Sequence, residues 1–251
     1  MFPLIQKSKG AWALGGAAFV LLWALLNERP FAARNEASAT TEPIPFREPA
    51  LGVNPPPNDE VQAMVLAAKS ALAKNNLPLA RREFERVLEK SPQDLSALVS
   101  LGWIDQKENR WDSSEKHLRK ALRASMEDAA IWLALGVATL EQEKSEAALA
   151  AFAQAVALEP KNARAHRFLA IALGRRGWLD GAENEMRTAL DLEPGDAGAH
   201  FNLAVFYLQR RPAAVELARR HYYRARDLGA APDSEVEAQL ARTERTDSTN
   251  P

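Results

Sequence analysis

The stretch WLALGVATLEQEKSEAALAAFAQAVALEP, residues 132–160, decides the fold of this chain. Its apolar residues recur every three or four positions, which predicts two amphipathic helices joined by a short turn. Gly136 and Ala148 are small enough to let the two helices cross closely, and Phe152 fills the gap between them. Pro160 stops the second helix and turns the chain. The stretch therefore predicts a hairpin of two packed helices.

The same pattern recurs along the chain with a 34-residue period. Leu158-Glu159-Pro160 returns one period later as Leu192-Glu193-Pro194, and Pro92 lies two periods before Pro160. One hairpin cannot bury its apolar face alone, so we expect consecutive units to stack and bury a continuous core. The period predicts five units, at 61–94, 95–128, 129–162, 163–196 and 197–232.

This spacing resembles the tetratricopeptide repeat (TPR). The W-x2-L-G opening of that repeat is matched by Trp132, Leu135 and Gly136. Its small, aromatic, small and proline positions are matched by Ala148, Phe152, Ala155 and Pro160. The resemblance covers roughly residues 61–232 and implies an all-α fold, a right-handed α-solenoid of about five helix pairs with a capping helix. It also implies that the chain binds proteins rather than catalysing a reaction.

Two units depart from the pattern. The second has Ser114, Leu118 and Met126 where a small residue, an aromatic residue and proline are usual, and the fifth gains two residues near Pro212. Beyond it, Gly229 is typical of a helix end. Residues 233–251 are predicted to form a capping helix, which begins at Asp233 or Ser234 and ends near Arg242, and a frayed tail.

Residues 1–29 are predicted to form a membrane segment. Between Lys9 and Glu28 lie 18 uncharged residues, 10–27, which as a helix extend about 27 Å and nearly cross a bilayer core of about 30 Å. We therefore expect one transmembrane helix, with the repeats on the extracytoplasmic side because Lys7 and Lys9 favour a cytoplasmic N-terminus. Two alternatives stay open: a signal peptide cleaved after the small residues 37–39, which would give a secreted protein, and a buried soluble helix.

Residues 30–58 are predicted to be a flexible Pro-rich linker. Seven prolines fall in this range, and proline disfavours helix and promotes extended conformations. The alternative is a docking peptide around Phe46-Arg47-Glu48-Pro49.

Composition excludes several classes of function. The formal charge of −1 favours no nucleic acid as partner, and the absence of cysteine excludes disulfides, thiolate metal sites and a cysteine nucleophile. The four histidines lack metal-binding spacing, and His166 and His200 lie one 34-residue period apart, which indicates one packing position in successive units. We therefore expect no enzyme activity, no metal and no cofactor.

Stacked first helices line the concave side of such a solenoid, and helical spacing predicts which residues face it. This predicted groove is unusually apolar, which is typical of an interaction surface. The alternative is that contacts between units bury several of its residues. Arg164, Arg167 and Asn202 echo part of the set with which family members clamp a carboxylate tail, although Val65, Leu66 and Ala134 replace the polar clamp residues. The candidate partner-binding residues are Val65, Lys69, Val99, Trp103, Leu133, Val137, Arg164, Arg167, Ile171, Phe201, Asn202 and Val205.

Two functions fit this sequence. The first is a membrane-tethered scaffold, without catalytic activity, that binds a protein or peptide in its concave groove. The second is an accessory subunit that recruits an enzyme or transporter complex, in envelope assembly, secretion or cofactor-protein maturation. In that case the linker or tail of the chain itself occupies the groove.

Overall fold

The computed structural model describes residues 59–247, with side chains through Ala241, and this part of the chain is entirely helical apart from its turns. It forms eleven helices in sequence order. These are α1 Asp59–Ala73, α2 Leu77–Lys90, α3 Leu95–Lys107, α4 Trp111–Ala124, α5 Ala129–Glu141, α6 Ser145–Leu158, α7 Ala163–Arg175, α8 Leu179–Leu192, α9 Ala197–Gln209, α10 Val215–Asp227 and α11 Ser234–Asp247.

The predicted transmembrane segment at 10–27 and the linker at 30–58 lie outside the described residues. Among residues 59–247, none of the helices is both long and apolar enough to cross a bilayer.

The helices pack as five consecutive antiparallel pairs, α1–α2 to α9–α10, which confirms the all-helical solenoid predicted from the 34-residue period. Turns of three residues join the first four pairs, whereas five residues, 210–214, join α9 to α10. The two extra residues predicted near Pro212 therefore lie in this turn.

Side-chain caps repeat with the period as well. The side chains of four residues accept hydrogen bonds from backbone N–H groups in the first turn of α3, α5, α7 and α9, which fixes where each first helix begins. These caps are Asp94, Asp128, Asn162 and Asp196.

Each pair crosses closely at small residues. In the second pair, an ideal Cβ on Gly102 would lie 2.8 Å from Cγ of Leu118, and Leu118 is fully buried. The aliphatic Leu118 thus occupies the position that Phe84 and Phe152 occupy in other units. The departure of the second unit from the repeat pattern is therefore compensated locally, and the hairpin is retained.

Ion pairs join the second helix of one unit to the first helix of the next unit, or to the turn that follows that helix. Arg81 contacts the fully buried Asp105 at 2.8 Å, and Glu115 contacts Lys144 at 2.7 Å. Glu183 contacts Arg210 at 2.5 Å. Residues 81, 115 and 183 occupy the same position of the 34-residue period, so one site on the second helix ties neighbouring units together. Charged residues at this period are visible in the sequence, but the period does not indicate which residues they contact.

The capping helix extends further than predicted. Asp233 is its N-cap, as expected, because its side chain accepts hydrogen bonds from the backbone N–H groups of Glu235 and Val236. The helix continues to Asp247, however, and the predicted end near Arg242 is wrong. No glycine or proline occurs between Arg242 and Asp247 to stop a helix.

Candidate partner-binding groove

The first helices of successive units lie side by side. Helix α3 contacts α5, α5 contacts α7, and α7 contacts α9. Two side chains bond directly to the backbone of the neighbouring first helix: Gln106 donates to the carbonyl of Ala134 at 2.7 Å, and Arg175 donates to the carbonyl of Leu140 at 3.2 Å. These bonds hold the first helices as one continuous surface.

The apolar part of this surface lies on the second and third units. Val99, Trp103 and Val137 are half-buried there, so each presents part of its side chain to solvent. Trp103 packs against the core of the first two units, and the Nζ of Lys107 lies 5.3 Å from its ring centroid. Val65 and Lys69 of the first unit are half-buried as well. The structure therefore brings these five predicted residues to the surface of the first helices.

Two predicted arginines lie on the fourth unit. The guanidinium groups of Arg164 and Arg167 lie 5.7 Å and 5.1 Å from the ring centroid of Phe168. Arg167 also lies 3.1 Å from a carboxylate oxygen of Asp196 in the next unit, so its charge is partly balanced within the protein. The pair places positive charge on α7, the first helix that follows the apolar residues of α3 and α5.

The other predicted groove residues are buried, and the open face on which helical spacing placed them is covered by packing. Phe201 illustrates the reason, because its ring lies 6.3 Å from that of Tyr222 on α10 and therefore packs against its own partner helix. Asn202 donates to the carbonyl of Gly198 within its own helix at 2.9 Å. Packing within and between units thus buries Leu133, Ile171, Phe201, Asn202 and Val205, each at most 7% exposed.

The histidines behave as repeat positions. The Nε2 of His166 lies 3.0 Å from the carbonyl oxygen of Pro160, and the Nε2 of His200 lies 3.3 Å from that of Pro194. The two contacts are equivalent and lie one repeat apart. Among residues 59–247, no group of three or more potential metal-binding side chains is placed to hold an ion.

A crevice of about 700 Å³ lies between α8 and α10, and the repeat pattern did not predict it. Nδ1 of His200 lies 2.9 Å from Nδ1 of His221 in its wall. Burial, His200 and the nearby Arg220 lower the pKa of His221 to about 4, and burial also lowers the pKa of His200. Both imidazoles therefore bind a proton less tightly than an exposed histidine does. Only one of these histidines keeps the 34-residue spacing, so the sequence did not indicate their contact.

Comparison with known proteins supports the repeat assignment. The family model described as tetratricopeptide repeat matches three overlapping ranges, 65–128, 104–163 and 133–185. Together these ranges span residues 65–185. No curated protein matches the chain in sequence.

Solved structures share the fold. The crystal structure of MamA protein is 20% identical with a TM-score of 0.62, covering 68% of this chain and 92% of its own. The structure titled MamA 41-end, from Desulfovibrio magneticus RS-1, is 20% identical in sequence with a TM-score of 0.64. The match covers 70% of this chain and 99% of that structure's chain. YrrB, titled a TPR protein with an unusual peptide-binding site, is 24% identical in sequence with a TM-score of 0.60. The match covers 72% of this chain and 90% of the YrrB chain.

At these identities the likeness concerns the fold. The matched ranges, which together cover residues 65–185, fall on helices α1 to α8. Residues 65–185 therefore carry tetratricopeptide repeats.

Proposed function

We propose that this protein is a membrane-tethered scaffold, without catalytic activity, that binds a protein or peptide along its first helices. The observation that carries the proposal is the row of half-buried apolar residues Val99, Trp103 and Val137 on two consecutive first helices, followed by Arg164 and Arg167 on the next. TPR arrays use extended surfaces of this kind for binding.

The chemistry of the row favours a particular ligand. Partly exposed apolar side chains gain free energy when a ligand covers them, by about 25 cal/mol for each Å² of apolar surface removed from water. Guanidinium groups at one end of the row favour a carboxylate, because charge-assisted hydrogen bonds are strong and directional. The ligand is thus a partly apolar helix or extended peptide, with an acidic residue near Arg164 and Arg167.

The tether is proposed from residues 10–27. Their uncharged run suits a single membrane span, with Lys7 and Lys9 on the cytoplasmic side and the repeats on the other side. Alkaline carbonate washing of membranes tests the tether. A protein released by that wash, or a mature N-terminus at Thr40, would contradict it and favour the secreted alternative.

The binding surface can be tested by photo-crosslinking in the full-length protein. A photoreactive amino acid replaces Val99 or Val137 in the row, and as a control it replaces the exposed Lys116 of α4. We expect both row positions to form adducts with peptides from one and the same protein, and Lys116 not to do so. Equal labelling of that protein from Lys116 would show that the first helices are not the binding surface.

A further inference from the structure

The two ends of the repeat array differ. At the C-terminal end, Val236 and Leu240 of α11 are buried in the same core as Tyr222 of α10. The hydroxyl of Tyr222 donates to a carboxylate oxygen of Glu237 at 2.8 Å, which further fixes α11 in place. Helix α11 therefore closes this end. At the other end, α1 is the first helix that the structure describes.

Comparison between units shows that one face of α1 lacks the cover found elsewhere. Positions 63, 67 and 70 of α1 correspond, one repeat further along the chain, to Ala97, Leu101 and Ile104 of α3, which are fully buried. These three pack against the preceding second helix, α2, through Ala80, Phe84 and Val87. On α1 the equivalent residues are exposed, and no described residue covers them.

This open face is apolar and small, unlike the polar outer face expected of a terminal repeat. Leu66 stands at its centre with 67% of its surface exposed. The open face consists of four exposed residues of α1: Ala63, Leu66, Ala67 and Ser70. None of them is charged, and the small side chains around Leu66 would let a polypeptide approach the helix closely.

The segment that precedes α1 has the composition to cover this face. Residues 44–53 read IPFREPALGV, with Ile44, Phe46, Leu51 and Val53 as apolar side chains. The segment also contains Pro45 and Pro49, which favour extended backbone over helix. In an extended backbone successive side chains point to opposite faces, so Ile44 and Phe46 share one apolar face that can lie along a helix, and Leu51 and Val53 share the other.

The distance is compatible with such a contact. Five residues, 54–58, separate the segment from Asp59, and an extended chain of five residues spans at most about 17 Å. Leu66 lies seven residues into α1, which is about 10 Å along the helix axis. The connection is therefore long enough to reach the open face, and its three prolines, residues 55–57, favour a semi-rigid spacer over a freely flexible one.

We propose that residues 44–53 fold back across the open face of α1 and close the N-terminal end of the array. The contact is intramolecular. It takes the place of a preceding second helix, and it assigns this part of the linker to the end of the array rather than to the groove.

Disulfide trapping in the full-length chain tests the proposal, because the sequence has no native cysteine. The test pair is Glu48→Cys with Ala67→Cys, which leaves Phe46 and Leu66 in place, because residues 46 and 48 share a face of an extended chain. The control pair is Glu48→Cys with Glu85→Cys. Glu85 is exposed on α2 and lies level with the open face, since Lys90 of α2 contacts Glu60 of α1. We expect the test pair to form a monomeric disulfide in a glutathione buffer at least about tenfold faster than the control pair.

A third substitution makes the test specific. Adding Leu66→Asp to the test pair should reduce disulfide formation to the control rate, whereas adding Leu217→Asp, at an exposed leucine of α10, should leave it unchanged. Equal rates of disulfide formation for the test and control pairs would overturn the proposal. A rate for the test pair that Leu66→Asp leaves unchanged would overturn it as well. A disulfide-linked dimer in place of the monomeric product would show that a second copy covers the face instead.

Discussion

Gly136 and Phe152 meet so closely across the third helix pair that a side chain at position 136 would collide with the ring. An ideal Cβ on Gly136 would lie 2.3 Å from Cε1 of Phe152, which is fully buried. Glycine inside a helix costs about 1 kcal/mol relative to alanine, so its presence here reflects the close approach of the two helices.

Gly136→Ala should lower the free energy of unfolding of the repeat domain, because overpacking a tight core costs about 1–3 kcal/mol and exceeds the gain in helix propensity. Urea unfolding followed by circular dichroism measures the change. Gly181→Ala is the matched control, since a Cβ there would lie 3.5 Å from Leu173, an ordinary contact. A Gly136→Ala protein as stable as the control would show that the pair can open to admit a methyl group.

The repeat domain, residues 59–251, should fold when residues 1–58 are removed. The three core clusters draw all their members from residues 61–240, so the apolar contacts that stabilise the fold are present in this fragment. We expect a helical circular dichroism spectrum and cooperative thermal unfolding. Substantial strand content, or loss of cooperative unfolding in the shortened chain, would contradict this.

Asp105→Ala should strongly destabilise the first two units. The carboxylate of Asp105 is fully buried among Arg81, Arg110 and His117, at distances of 2.8–3.0 Å. Removing one partner of a buried ion pair costs about 3 kcal/mol or more, because the remaining charges lose their compensation. Asp112→Ala is the control, since the Asp112 side chain is 95% exposed and its loss should change stability by less than about 0.5 kcal/mol. Similar urea midpoints for both variants would refute a structural role for Asp105.

Acid should weaken the tie between the second and third units. Burial alone would raise the pKa of Glu115, but hydrogen bonds from Lys144, Arg119 and Gln142 lower it to about 2. The unfolded-state pKa is near 4.5, so this carboxylate stabilises the fold above pH 4.5, and the contribution is lost as the pH falls towards 2. Glu115→Gln should therefore reduce stability near pH 6 and differ less from the wild type near pH 2.5. A difference that does not change between these pH values would argue against the tie.

Trp103→Ala should weaken partner binding by about 2 kcal/mol, as expected for a central aromatic anchor. It should also lower the melting temperature, because Trp103 packs against the core of the first two units. The control is Trp178→Ala, which removes a tryptophan that is 54% exposed, stacks on Arg176 and lies outside the row. Calorimetric titration with the partner identified by crosslinking gives both affinities, and equal losses for the two variants would exclude a specific role for Trp103.

The repeat organisation could be predicted from the sequence because every unit needs the same residue types to pack its two helices together. Small residues recur at the positions of Gly136 and Ala148 because every helix pair must cross closely, and bulky apolar residues recur at the position of Phe152 because the gap must be filled. Proline ends the second helix at the position of Pro160 in three of the units. The same logic explains His166 and His200, which contact the carbonyl groups of Pro160 and Pro194 one repeat apart. A periodic sequence therefore determines helix bounds, pairing and the direction of stacking contacts.

Only the tertiary structure decided which groove residues reach the surface. Helical spacing assigned Val99, Leu133, Arg167 and Phe201 to one equivalent position, yet Leu133 and Phe201 are buried while Val99 and Arg167 are not. The amount of surface left at that position depends on how closely neighbouring helices approach. In the last two units Phe206 of α9 approaches Gly174 of α7 so closely that a Cβ there would lie 2.4 Å from its ring. That approach is set by contacts between side chains far apart in sequence, which the period of the repeat does not encode.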